Sequence, residues 1–254
     1  MNGLNRRGLR VEFAQTPEDI RECQKLRYQV FARELGAAIG DPRLETDSDA
    51  FDPYCRHLVV REHASDAIVA CTRILTSETS AACGGFYSQQ EFDLSPILAL
   101  PGRVMEVGRT CVHADYRRGP AIALLLAGLA TFMHENRCDY LIGCGSVPLS
   151  ADRECALQTV AHLIAIYGSP PHLRVKPRNP LPVPYADESV CAGADGAAPA
   201  LLRAYMRLGA YVCGAPCFDA DFNVADVFVL LLRSRYDGRY LERLLGRSLK
   251  QRVA

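Results

Sequence analysis

Glu106 and Arg109 sit three residues apart in Val104–Val112, a run whose other members are apolar or small. A carboxylate on a strand of that composition can take a proton from an amine. An α-amino group, with a pKa of about 8, needs only modest help from such a base, directly or through water. Glu106 is therefore the candidate general base and Arg109 its charged companion. A purely structural ion pair is the other reading, but burying one costs desolvation and rarely serves stability alone. Just downstream, Arg117-Arg118-Gly119-Pro120-Ala121 leads into an apolar stretch of helical length. The first N–H groups of a helix have no partner within it, so a turn of small residues at that point favours an anion such as a phosphate. A tight strand-to-helix turn is the plainer reading of the same residues.

The elements that must hold these groups can be read from pattern. Thr16-Pro17-Glu18-Asp19 predicts a helix start, with a Thr cap, Pro in the first turn and acids beside it. Ile20, Cys23, Arg27, Val30, Phe31 and Leu35 then share one face, and Gly36 ends the helix. Arg27 on that apolar face either snorkels to solvent or is held for the site. Asp47–Pro53 is polar and turn-like, and by themselves Asp49 and Asp52 would be turn residues. Leu58–Arg61 and Ile68–Leu75 predict a hairpin. Val104–Val112, Ile122–His134 and Tyr140–Val147 read as a β–α–β unit expected to pair in parallel. Between 168 and 200 lie seven prolines and the small-residue run Ala192–Ala200, predicting an extended loop or lid. Leu201–Gly209 reads as a short helix and Asp226–Leu232 as a last strand. The sum is a single domain of mixed α/β class.

Bulk properties exclude several functions. The 254 residues are 49% hydrophobic with a formal net charge of zero, so no global field points to nucleic acid. Seven basic residues face only Asp237 and Glu242 between 233 and 252. There Leu241, Leu244, Leu245, Leu249 and Val253 fall at helical spacing. That pattern suits either a packed surface helix or an interfacial one against an anionic membrane surface. Eleven cysteines include no Cys-x-x-Cys pair, and several sit in apolar runs, as in a reduced compartment. Cys213 and Cys217 lack partners at zinc spacing, so no metal is expected. The longest apolar run, Ala121–Met133, is too short to cross a bilayer, and no signal peptide is recognisable. The expected location is cytoplasmic, peripheral on the inner face of the membrane at most.

Several blocks, in order, resemble the ornithine-lipid (hemolysin-like) N-acyltransferases of the GNAT superfamily and, more distantly, the acyl-homoserine-lactone synthases. Glu106 to His113, continuing through Tyr116-Arg117, resembles their core block. Arg27 and Phe31 fit an Arg-x-x-x-Phe helix, Asp49-Ala50-Phe51-Asp52 an Asp-x-Phe-Asp turn, and Arg73 the arginine of the next strand. Cys55-Arg56-His57-Leu58, Phe86-Tyr87 with Glu91-Phe92-Asp93-Leu94, Leu201 to Gly209 and Asp219 to Asn223 extend the match. Arg118 to Ala123 resembles the superfamily's pyrophosphate loop, with Ala121 in place of its first glycine.

The resemblance implies a GNAT-like fold, a mixed and mostly antiparallel central sheet flanked by helices. It implies transfer of a 3-hydroxyacyl group from acyl carrier protein to the α-amino group of an amino acid, above all L-ornithine, giving lyso-ornithine lipid. No bound cofactor is implied, since the 4'-phosphopantetheine thioester arrives as co-substrate. Asp49, Asp52, Arg27 and Arg73 would bind the amino acid. Gly108, Cys111, Val112, Arg117, Arg118, Gly119 and Ala121 would meet the acyl donor, with a strand distortion near Gly108 supplying a donor to the thioester oxygen. Ser146 would serve the leaving thiol, while His57 and His113 read as structural. A homoserine-lactone synthase typically carries an early Trp, and this chain has none. A non-catalytic lipid-associated protein would have no use for Glu106 beside Arg109.

Overall fold

A computed structural model describes residues 4–6, 8–150, 152–184 and 198–239. The basic segment from 240 onward and residues 185–197 of the Pro-rich stretch lie outside the described residues. The described residues fall into two compact units, one within Met1–Gly84, Met105–Cys138 and Gly238–Ala254, the other within Gly85–Val104 and Asp139–Asp237.

In the first unit, strands run β1 (Leu4–Arg6), β2 (Leu9–Phe13), β3 (Arg56–Glu62), β4 (Ile68–Thr76) and β6 (Val104–Val112), numbered along the whole chain and each antiparallel to the next. The predicted hairpin is thus β3–β4. Two helices cover this sheet, α1 (Pro17–Tyr28) and α4 (Ala121–Glu135), and a single turn, α2 (Ser77–Ser80), follows β4. The Thr16 hydroxyl accepts from Asp19 N–H at 3.1 Å and the Asp19 carboxylate from Thr16 N–H at 3.0 Å, the reciprocal cap that the sequence announces. Beyond Tyr28 the helix widens into a π-helical stretch, Gln29–Glu34, before Gly36 turns the chain with φ of 75°.

Cys23, Leu26 and Val30 pack on Val59, Cys71 and Cys111. On α4, a Cβ at Gly128 would lie 2.8 Å from Leu58 and 3.2 Å from Val11, so the helix approaches at van der Waals limit there. Leu58 and Val59 are consecutive on β3 and point to opposite faces, so α1 and α4 sandwich the sheet. Each buried leucine of α4 contributes about 1.5–3 kcal/mol, which explains a helix so apolar.

The second unit is built on β11 (Val224–Leu232), antiparallel to β7 (Tyr140–Pro148) on one side and to β10 (Cys217–Asp219) and β9 (Tyr211–Val212) on the other. A separate pair joins β5 (Phe92–Asp93) to β8 (Lys176–Pro177). Its helices are the turn α3 (Ser95–Leu98), α5 (Arg153–Tyr167) and α6 (Ala200–Arg207). The sequence reading assigned no element to α5, whose small and apolar residues make no clean stripe. Its start is still marked, because Asp152 accepts from Cys155 N–H at 3.0 Å. The described part of the Pro-rich stretch is bonded to the sheet rather than free of it. Gly168 bridges Val212, Val175 bridges Gly214 and Pro180 bridges Cys217, and Leu173, Val175 and Leu181 are buried. Strand pairing in both units is overwhelmingly antiparallel, with helices against the sheets, as expected of the fold class.

Candidate active site

Three guanidiniums and three carboxylates interlock in the first unit. Arg27 is 1% exposed, so it does not snorkel. Its Nη1 and Nη2 donate to Asp52 at 2.7 and 3.1 Å, its Nε to Asp47 Oδ2 at 2.9 Å, and Nη2 also to the Asp47 carbonyl at 2.6 Å. From β4, Arg73 Nη1 donates to Asp49 Oδ1 at 2.6 Å and to Asp52 Oδ1 at 2.8 Å. Arg109 approaches Asp47 at 3.2 Å and Asp49 at 3.7 Å. Burial pushes the Asp52 carboxyl up, but Arg27 and then Arg73 outweigh it and hold it well below the usual carboxylate range. Asp49 is lowered in the same way, its burial overcome by Arg73. The guanidiniums of Arg27 and Arg73 are raised in return, the carboxylates outweighing burial.

The network gives the predicted residues unequal situations. Asp52 is saturated, since Gln24 Nε2 also donates to it at 3.1 Å. Asp49 keeps one buried oxygen, Oδ2, with no hydrogen-bond partner. His57 is buried and lowered by that burial, with Nε2 against the Asp52 carbonyl at 3.1 Å, consistent with a structural role. Asp47 was not singled out by sequence. It looked like one more polar turn residue, and only its position between Arg27 and Arg109 reveals it.

The expected distortion of β6 is present, one residue beyond Gly108. Cys71 pairs with Cys111 and Arg73 with Gly108, so Thr72 alone faces Arg109 and Thr110. Arg109 takes φ of 50°, a left-handed conformation that costs an L-residue about 1–2 kcal/mol. Thr72 Oγ1 fills the gap, donating to the Gly108 carbonyl at 3.2 Å with Thr110 Oγ1 2.6 Å away. Gly108 itself has ordinary extended backbone. Glu106 is buried opposite Leu75 of β4. Its charge is felt by Cys55, whose thiol burial pushes up to about 12, with Asp52, Asp49 and Glu106 adding to the rise and Arg73 opposing it. Base candidate and ionic network thus share one neighbourhood.

At the other end of β6, Cys111 and Val112 are buried, Cys111 within the α1 core. Arg117 is engaged locally: Nε donates to the Val112 carbonyl at 3.0 Å, and Nη2 pairs with Glu34. Arg118 is exposed. Gly119 N–H is spent on Tyr116, and Pro120 heads α4 with no side-chain cap. The early N–H groups of α4 are therefore open to an anion, and Ala121 is buried beneath them. In the second unit, Ser146 Oγ donates to Asp226 Oδ1 at 2.6 Å.

Residues 26–127 match the acetyltransferase (GNAT) domain family. The L-ornithine N(alpha)-acyltransferase of Rhodobacter capsulatus is 34% identical over 253 residues, spanning 94% of this chain and 96% of the relative. That of Agrobacterium fabrum is 34% identical, spanning 92% and 84%. Among solved structures, a CoA-dependent acyl-homoserine lactone synthase with SAM and isopentyl-CoA aligns with a TM-score of 0.54 at 14% identity, over 91% of this chain and 83% of that one. The last is a likeness of fold. The chain belongs to the L-ornithine N(alpha)-acyltransferase family, and it is an acyltransferase.

Proposed function

We propose that this enzyme transfers a fatty acyl group from the thioester of acyl carrier protein to the α-amino group of L-ornithine. The observation that carries the reading is the bulged β6 strand with buried Glu106 two residues before Gly108. A ladder amide released by a bulge can donate to a thioester oxygen as negative charge develops there. Glu106 takes the proton from the attacking ammonium, the nitrogen bonds to the carbonyl carbon, the C–S bond breaks, and the carrier thiol leaves with a proton. Arg109 and Asp49, at the more exposed edge of the ionic network, help hold the amino acid, since Asp49 Oδ2 accepts no hydrogen bond and meets Arg109 only as an ion pair at 3.7 Å. Asp52, Arg27 and Arg73 position them.

The donor side rests on the turn before α4. Its open amides suit a phosphodiester, and exposed Arg118 suits either that phosphate or an acidic carrier surface. The acyl group is a 3-hydroxyacyl chain in this reading and the product a lyso-lipid. Arg243, Arg247, Lys250 and Arg252 would each gain about 1 kcal/mol beside an anionic leaflet, supporting a cytoplasmic enzyme peripheral to the membrane.

Purified protein given 3-hydroxyacyl-carrier protein and L-ornithine should yield N-acyl-ornithine and one free carrier thiol per amide. Absence of amide, or acyl-homoserine lactone formed from S-adenosylmethionine instead, would refute it.

A further inference from the structure

β6 is buried along most of its length, and the exceptions are consecutive: Gly108, Arg109 and Thr110 are half-buried. They are also the residues at the bulge. Opposite them, Thr72 of β4 is 1% exposed, and its neighbours on either side in the strand are buried too. A valine would fill the same space at a lower desolvation cost, so the hydroxyl needs a reason. Its bonds supply one. Thr72 Oγ1 donates to the Gly108 carbonyl at 3.2 Å and lies 2.6 Å from Thr110 Oγ1. A hydroxyl has a single proton, and Thr72 has spent its own on the carbonyl, so Thr110 donates in the shorter contact. The result is a one-way chain, from Thr110 through Thr72 to the Gly108 oxygen.

That oxygen belongs to the same peptide unit as the Arg109 N–H. In a trans peptide the two groups point in opposite directions. A carbonyl held toward β4 therefore turns the Arg109 N–H away from β4. Hydrogen bonds in series polarise one another, so the bonded carbonyl also strengthens that N–H as a donor. Left-handed backbone at Arg109, with φ of 50°, persists only where the surroundings hold it. The hydroxyl chain holds it on the backbone side, and Asp47 and Asp49 hold its guanidinium at 3.2 and 3.7 Å. We propose that Thr72 and Thr110 are positioning residues for acyl transfer, aiming the Arg109 amide at the thioester oxygen through the peptide they hold. The hydroxyls act through the backbone, not on the substrate. The proposal rests on the acyl-transfer reading and names the side chains that set the direction of its bulge amide.

Thr72→Val removes the hydroxyl and keeps the β-branched shape, while Thr72→Ser keeps the hydroxyl. With 3-hydroxyacyl-carrier protein and L-ornithine at saturation, Thr72→Val should turn over about 10–100-fold more slowly, the span for a misaimed donor. An interaction made only in the transition state leaves the ornithine KM within about twofold, and Thr72→Ser should recover most of the lost turnover. Thr110 acts through Thr72, so Thr110→Val added to Thr72→Val should cost nothing further. Heteronuclear NMR of the same proteins gives a reading that needs no turnover. The Arg109 amide resonance should shift in Thr72→Val and return toward its wild-type position in Thr72→Ser. Should Thr72→Val fail to fold, Thr110→Val, at a half-buried position, carries the same expectations at a smaller magnitude. Undiminished turnover in Thr72→Val, a loss confined to the ornithine KM, no recovery by serine, or a further loss in the double variant would overturn the proposal. A wild type that forms no N-acyl-ornithine defeats the acyl-transfer reading, whereas an unmoved Arg109 resonance defeats this inference by itself.

Discussion

Arg27 and Asp52 form a two-pronged pair at 2.7 and 3.1 Å, and neither residue is more than 4% exposed. A pair of this kind is not a strong source of stability in itself, but breaking it strands a buried charge. Asp52→Asn should therefore cost about 3–5 kcal/mol in urea unfolding, whereas Asp49→Asn should cost far less and act mainly on the amino-acid KM. Because Asp52 is held below the usual carboxylate range, its contribution is present above about pH 4 and lost only as pH falls through its lowered value. If Asp52→Asn unfolds at the same midpoint as the wild type, Arg27 finds compensation elsewhere and the network is not what fixes the loop.

Gly108 gives a cleaner separation of folding from chemistry. Its backbone is not left-handed, and an added Cβ would rest 3.9 Å from Arg73 Nε, an ordinary contact. Gly108→Ala should unfold within about 0.5 kcal/mol of the wild type. If the thioester passes over this strand, turnover should nonetheless fall by about tenfold or more, because small misplacements of reacting atoms are expensive. Full activity in that variant would move the acyl donor off Gly108.

The frame of the protein was legible because its signals are local. The Thr16 cap, the β3–β4 hairpin, β6, α4, β7 and β11 all follow from caps and short-range periodicity. Arg27 was visible as an anomaly, a charge on an apolar face, but its partners were not, since Asp47 and Asp52 meet it across 20 and 25 residues of chain. The bulge fell at Arg109 rather than Gly108 because register is set by the facing strand: Thr72 stabilises the gap with its hydroxyl, and the sequence of β6 alone does not contain it. Of the acids in the second unit, Glu91 and Asp219 stood in sequence only within blocks of the family resemblance, and Asp226 only as the start of the last strand. Glu91, Asp219 and Asp226 are each unremarkable in sequence, and their convergence, one carboxylate oxygen from each within 4.8 Å of the other two, is a product of the fold.

Glu106→Gln preserves shape while removing the base. Turnover should fall by about 10²–10⁴ at saturating amino acid and acyl donor, the usual span for a general base. The loss should shrink as pH rises, since a growing share of the acceptor then arrives already deprotonated. Turnover within threefold of the wild type at pH 7 would assign proton removal to another group.

Arg117 and Arg118 are neighbours in sequence with different employment. Arg117 is tied to Glu34 and to the Val112 carbonyl, while Arg118 is exposed at the head of α4. Reversal of Arg118 to Glu should raise the KM for acyl carrier protein more than that for a small pantetheine thioester. Arg117→Glu should lower the unfolding midpoint by setting like charges together. Equal loss with both donors in the Arg118 variant would remove its docking role.

Glu91 should make the protein's stability fall as pH rises through neutrality. An unburied glutamate titrates near 4.5, and burial, reinforced by Asp226 and Asp219, pushes this one up to about 9. Below pH 4.5 the group is protonated whether the chain is folded or not. Between there and about pH 9 the folded chain keeps a proton that the unfolded chain releases, so folding weakens by up to about 1.4 kcal/mol per pH unit. The neighbours that set this balance are Asp226, Asp219 and Cys144. Glu91→Gln removes the titration, so its urea midpoint should hold steady from pH 6 to 8.5 while the wild type's declines. Parallel profiles for wild type and variant would mean that Glu91 is already charged in the folded chain.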